Sequence, residues 1–218
     1  MTTTRIIAVR HGETAWNVDT RIQGQLDIDL NARGQWQAER LGEAMADAAI
    51  GHIYSSDLQR AHSTAQAIAR HATQPGAAPM PVKLHLGLRE RSFGSFEGET
   101  WADIAEKWPD ESRRWKQRDP HFAPPGGETP TALLNRVQRT VQEIAEQHQG
   151  EHIVLVAHGG VMDMLYRLAT RQELHAPRTW ELGNAAINRL LWTENGLTLV
   201  GWADTQHLSD TTRDETTT

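Results

Sequence analysis

The sequence predicts an α/β fold, specifically a three-layer α/β/α sandwich with a mostly parallel central sheet and a small helical cap inserted into it. Three observations carry this. Short apolar runs alternate with helix-periodic stretches, two of those runs stop abruptly at a His-Gly pair, and an Asn-Gly turn separates two strand-like segments near the C-terminus.

Taken in order, Arg5 to Val9 is an apolar run ending at Arg10-His11-Gly12, and Ile153 to Ala157 is another ending at His158-Gly159-Gly160. Both read as parallel strands covered on both faces. Between them, Asn31 is placed to cap a helix with Trp36, Leu41, Ala44, Met45 and Ala48 facing the core, followed by a short strand at Ile53-Tyr54. Asp57 stands where it could cap the next helix, in which Ala61, Thr64, Ala65, Ile68 and Ala69 repeat at helical spacing before Gln74-Pro75-Gly76 breaks it. Val82 to Leu86 reads as a third strand. The texture then changes: Trp101, Ile104, Ala105, Trp108 and Trp115 lie on short helical stretches, with four basic residues between Arg113 and Arg118. This marks a cap insertion at about 98–125, closed by Pro124-Pro125-Gly126-Gly127. Thr129-Pro130 opens a long helix with Leu133, Leu134, Val137, Val141 and Ile144 as its core stripe. Ile187 to Trp192 and Leu197 to Trp202 flank Asn195-Gly196 and predict a hairpin on the sheet edge.

At 218 residues the chain fits one domain, 1–208, and the Thr- and Asp-rich stretch 209–218 has no apolar residue with which to offset its ordering entropy, so it is expected to be a disordered tail. With no cysteine, a thiol nucleophile, thiolate metal sites and a disulfide framework are excluded. A net charge of −6 argues against general nucleic-acid binding, so affinity for an anion must come from local clusters of Arg and His. No stretch matches a signal-peptide core or a membrane span, and a cytoplasmic protein acting on a small molecule is expected, as a monomer or homodimer.

In open parallel sheets ligands bind beyond the carboxyl ends of the strands, which is where both His-Gly pairs fall. Glycines there allow close backbone approach, and amides at a helix start can face an anion, so two imidazoles in this setting suggest a phosphate cradle. Arg60, at the start of the helix after the second strand, is expected to face the same mouth. Glu90, between Arg89 and Arg91, reads equally well as a structural ion pair.

The same residues resemble the histidine phosphatase superfamily, the phosphoglycerate-mutase-like proteins. The likeness runs through Arg10-His11-Gly12-Glu13-Thr14 with Asn17, Gln23-Gly24, Ser55-Ser56-Asp57-Leu58 with Arg60-Ala61 and Thr64-Ala65, Leu88-Arg89-Glu90 with Phe93-Gly94 and Glu97-Gly98, Gly127-Glu128-Thr129, and His158-Gly159-Gly160. The resemblance implies a metal-independent phosphomonoester hydrolase without a cofactor. In it His11 is the nucleophile that forms a phosphohistidine, Arg10, Arg60 and His158 hold the transferring group, and Glu90 is the proton donor. Asn17, Gln23, Gly24 and Gly159 are implied as further phosphate contacts. A backbone carbonyl near Gly12 is expected to accept from the His11 ring and fix its tautomer.

Within the family, Arg91-Ser92-Phe93-Gly94-Ser95-Phe96-Glu97-Gly98-Glu99-Thr100 lacks the His, Tyr and paired small residues of the mutase lid, which favours the phosphatase branch over a cofactor-dependent phosphoglycerate mutase. Arg113-Arg114 before Pro124-Pro125 resembles a mutase segment that contacts a substrate carboxylate, so Arg114 is a candidate substrate contact, with a solvated helix face as the other reading. Asp27-Ile28-Asp29 resembles the magnesium-dependent aspartate-nucleophile signature, but no apolar strand precedes it. A non-catalytic phospholigand-binding protein is the remaining alternative. Of eleven histidines, His52, His62, His71, His85 and His148 appear scattered without metal-ligand spacing, and His207 has no assigned place.

Overall fold

The computed structural model describes residues 2–73 and 77–209, so the Gln74-Pro75-Gly76 break and the tail beyond Ser209 lie outside the described residues. Its elements in chain order are β1 Thr4–Arg10, α1 Ala15–Val18, α2 Ala32–Ala44, β2 His52–Ser55, α3 Gln59–His71, β3 Val82–Leu84, α4 Trp101–Lys107, α5 Pro109–Lys116, α6 Pro130–Gln147, β4 His152–Ala157, α7 Gly159–Thr170, β5 Ile187–Thr193 and β6 Gly196–Asp204.

The strands form one mixed sheet in the order β3-β2-β4-β1-β5-β6. β3, β2, β4 and β1 run parallel, while the β5–β6 hairpin adds antiparallel to the β1 edge. Because strand side chains alternate faces, β1 and β4 build two cores at once. Ile6, Ala8, Ile153, Leu155 and Ala157 pack with α6 and α7 through Leu133, Val137, Val141, Val161 and Leu165. Ile7, Val9, Val154 and Val156 pack on the other face with Leu41, Met45, Ala61, Ala65 and Ile68 of α2 and α3. The result is the three-layer sandwich. A smaller cluster of Ile22, Phe96 and Ile104 ties α4 and α5, through Trp108 and Trp115, to the loop before them.

Four local expectations are corrected. Trp36 is 38% exposed and Ala44 also faces solvent. The buried face of α2 is instead Gly34, Gln37, Ala38, Leu41 and Gly42, the set at true helical spacing. Asp57 does not cap α3; it pairs with Arg89 at 2.7 Å, and the Gln59 amide donates instead to Asp27 Oδ1 at 2.7 Å. β3 ends at Leu84, leaving Leu84 and Leu86 exposed, because the chain turns into a short 3₁₀ segment over Leu86–Leu88. His52 and His148 are not scattered, since their rings stack with centroids 3.8 Å apart.

Candidate active site

β1 and β4 pair in parallel with Arg10 opposite Ala157, so His11 and His158 each follow directly on the last paired residue. The His11 amide continues the ladder to the Ala157 carbonyl at 3.0 Å. Two residues remote in sequence are thereby set side by side: their rings lie 5.2 Å apart at 58°. His11 is 3% exposed and His158 fully buried.

The His11 ring is oriented by its own turn. Nδ1 lies 2.7 Å from the Gly12 carbonyl, and a carbonyl only accepts, so Nδ1 carries the proton and Nε2 keeps a free lone pair. The turn requires glycine, because a Cβ on Gly12 would stand 2.4 Å from the Gly34 carbonyl oxygen. Thr64 of α3 accepts from the Gly12 amide at 3.1 Å and donates to the Arg60 carbonyl at 2.8 Å, linking this turn to the start of α3.

Arg60 is fully buried, with its two terminal nitrogens on the carbonyls of Leu26 and Gly24 at 2.7 Å each. Gly24 can offer that carbonyl because it adopts φ +53°, a conformation that favours glycine. Arg10 donates to the Leu182 carbonyl. After these bonds, Arg10 Nε, Arg60 Nε, both His158 ring nitrogens and Gln23 Oε1 remain buried without a hydrogen-bond partner. Buried polar atoms are paired in the large majority of cases, so several orphaned ones in one neighbourhood indicate a polar guest.

Electrostatics point the same way. Burial, reinforced by Arg60 and Arg10, holds His11 well below the usual histidine range, against a weaker raising effect of the Gly12 carbonyl. His158 is lowered well below it by burial, then Arg60, His11 and Arg10. Both rings are therefore neutral at neutral pH. Arg10 and Arg60 are lowered by burial, with Glu90 opposing in each case.

Glu90 sits against the start of α7, where the Gly160 amide reaches its two carboxylate oxygens at 3.1 and 3.0 Å and the Arg91 amide reaches Oε1 at 2.7 Å. Gly159 lies between Arg10 and Glu90: a Cβ there would be 3.5 Å from Arg10 Nε and 3.8 Å from Glu90 Oε2. Asn17 lies outside this group of orphaned atoms. Its side-chain oxygen closes a capping box with Thr14 and accepts from Asn184, which also holds the His11 carbonyl at 2.9 Å.

A cavity of about 860 Å³ takes in Arg10, Gly159 and Gly160 and extends along α7 under α5 and the loop that follows it. Its walls include Trp101, Trp115 and Phe122, the cations Arg91, Lys116, Arg118 and Arg178, and the carboxylates Asp119 and Asp163. Arg114 is not in this wall; it turns to Asp119 at 3.2 Å and lies over the Phe122 ring. Arg113 pairs with Asp110 on the exposed side, and His207 points its Nε2 at the Ala185 carbonyl.

Sequence reasoning missed Arg91, Arg136 and Arg178. Arg91 is buried over Trp115, with burial bringing its pKa down to about 10. Arg136 of α6 clasps the carbonyls of Gly87 and Arg89 and the carboxylate of Glu128, fixing the loop that carries Glu90. Its position on the helix face next to the apolar stripe was the available signal. Arg178 stands in an irregular loop with no pattern around it.

Among the described residues no helix is long and apolar enough to cross a membrane. Against known proteins, the chain is 37% identical to "Metal-independent phosphoserine phosphatase" of Arabidopsis thaliana over 211 residues, covering 94% of this chain and 84% of that protein. It is 32% identical to "Probable phosphoglycerate mutase GpmB" of Salmonella typhi over 216 residues, covering 97% and 98%. Among solved structures, a mycobacterial glucosyl-3-phosphoglycerate phosphatase superposes with a TM-score of 0.81 at 29% identity, covering 92% of this chain and 99% of that one. The profile of the Histidine phosphatase superfamily (branch 1) matches residues 6–205, and the chain belongs to that family.

Proposed function

We propose that the protein is a metal-independent phosphatase of small phosphorylated metabolites, acting through a phosphohistidine on His11. The observation that carries this reading is the set of unpartnered donors on Arg10, Arg60 and His158 gathered beside a neutral imidazole whose proton is fixed on Nδ1. Nε2 of His11 attacks phosphorus, the N–P bond forms as the ester P–O bond breaks, and Glu90 gives the leaving alkoxide its proton. Arg10, Arg60 and an N–H of His158 neutralise the equatorial oxygens, doing through fixed donors what a metal ion does elsewhere. Water then gives a proton to Glu90 and attacks the phosphohistidine, releasing phosphate and restoring neutral His11.

The cationic and aromatic walls of the cavity support a small, acidic leaving group. The relatives named for phosphoserine and glucosyl-3-phosphoglycerate support the same class. We further read it as a cytoplasmic monomer or homodimer, to be checked by fractionation and light scattering.

The mutase name of the Salmonella relative supports a second reading, transfer to another hydroxyl instead of water. A panel of phosphoserine, sugar phosphates and both phosphoglycerates, assayed with EDTA present for free phosphate and for isomerised product, separates the two. His11→Ala is expected to abolish turnover of an aryl phosphate, and acid-labile, base-stable phosphate should be trapped on the wild type. Full activity of that variant would remove the nucleophile assignment.

A further inference from the structure

We propose that His52, His148 and Glu151 form a zinc-binding site at the end of the sheet opposite the candidate active site. β1, β2 and β4 are parallel; His11 and His158 follow the ends of β1 and β4, whereas His52 begins β2 and Glu151 precedes β4. The cluster is therefore independent of the phosphatase reading.

Its three side chains already converge. His52 Nε2 is 2.8 Å and His148 Nδ1 is 3.2 Å from the same oxygen, Oε2 of Glu151. One donor atom from each residue lies within 4.8 Å of the others. Zinc bonds of about 2.0–2.1 Å at tetrahedral angles place ligand atoms about 3.3 Å apart, so a metal requires the two contacts to Glu151 to lengthen by about half an ångström or less and the two histidine nitrogens to close by at most about 1.5 Å. Two imidazoles and a carboxylate are a donor set that zinc uses, with water in the fourth position. Side-chain exposures of 33% for His52 and 47% for Glu151 leave that position open to solvent.

The surroundings prepare the site. His148 is buried, and the turn after α6 holds it to Glu151 through the Glu151 amide and the His148 carbonyl at 3.0 Å. His148 Nε2 lies 2.8 Å from the Tyr54 hydroxyl, which can accept its proton and so direct the Nδ1 lone pair towards Glu151. Lys83 Nζ, which donates to the Tyr54 hydroxyl at 3.4 Å, is a nearby cation that opposes a bound ion. A bound ion would join the first residue of β2 to the α6–β4 turn.

Zinc chloride is titrated into the substrate-free wild type, His52→Gln and Glu151→Gln at neutral pH, with heat of binding and thermal unfolding as readouts. One zinc per chain and a rise in Tm of a few degrees are expected for the wild type. Affinity should fall at least about tenfold in each variant. Both substituted side chains are partly exposed, and unfolding without metal checks that the variants fold; cobalt(II) absorption gives the same comparison by ligand geometry. Absence of binding, or wild-type affinity in either folded variant, overturns the assignment.

Discussion

The Gly160 amide donates to both carboxylate oxygens of Glu90, so the first turn of α7 holds the side chain proposed as the proton donor. A Cβ at position 160 would come within 2.3 Å of Glu90 Oε1, and that oxygen, at the end of a flexible side chain, is what must move. Gly160→Ala should therefore lower kcat by about 10²-fold, the low end of a general acid's contribution, while KM and Tm stay close to wild type. Steady-state kinetics beside a melting curve decide it; an unchanged kcat would detach Glu90 from the chemistry.

Stability should fall on acidification below pH 6.5. His11 and His158 are held well below their ordinary value of 6.5, so in the unfolded chain they take up protons that the folded chain does not. Stability then rises with pH up to about 6.5 and is lost below it, each histidine contributing a slope of about 1.4 kcal/mol per pH unit until its folded pKa is reached. Denaturant titrations from neutral to acidic pH should show a shallower dependence in His11→Asn/His158→Gln than in wild type.

Gly12→Ala is expected to destabilise the protein by about 1–3 kcal/mol, because the clash is with the Gly34 backbone and no side chain can turn aside. Turnover should drop with it, since the carbonyl that accepts from His11 moves. A wild-type Tm in this variant would show that the two backbones separate easily.

Arg136→Lys keeps the charge but loses the fork that spans Gly87, Arg89 and Glu128. Unpaired carbonyls there should cost about 1–3 kcal/mol. The pH profile of kcat should also shift, since the loop bearing Glu90 loosens. A fall in Tm with an unaltered profile would confine Arg136 to a structural role.

Arg114→Ala should leave KM for carboxylated and for plain aryl phosphates within about twofold of wild type, as an exposed pair with Asp119 contributes about 0–1 kcal/mol. A selective rise for the carboxylated ester would bring Arg114 back to the cavity.

How much could be read beforehand depended on whether the signal was local. The apolar runs of β1 and β4 stop at His11 and His158 because the chain leaves the sheet there, and strand ends are written in consecutive residues. The Asn195-Gly196 turn is legible for the same reason. Trp36 misled because its size outweighed its phase: five residues from Leu41, it falls off the face that Gln37, Ala38 and Leu41 share. Asp57 has the side chain and position of a cap, a local signal, yet Arg89 offers it a charge and Asp27 supplies the acceptor from elsewhere. Arg136, Arg178 and the His52–His148 stack depend on long reaches or on strand order, which no single segment encodes.

Because Arg10 stands opposite Ala157, a slip of one rung between the two central strands would exchange the side chains meant for the two cores and carry the paired imidazoles out of alignment. Turnover is thus a sensitive gauge of assembly: a refolding preparation that regains activity has, in the same event, registered its innermost strands correctly, and an assay for released phosphate follows that registration directly.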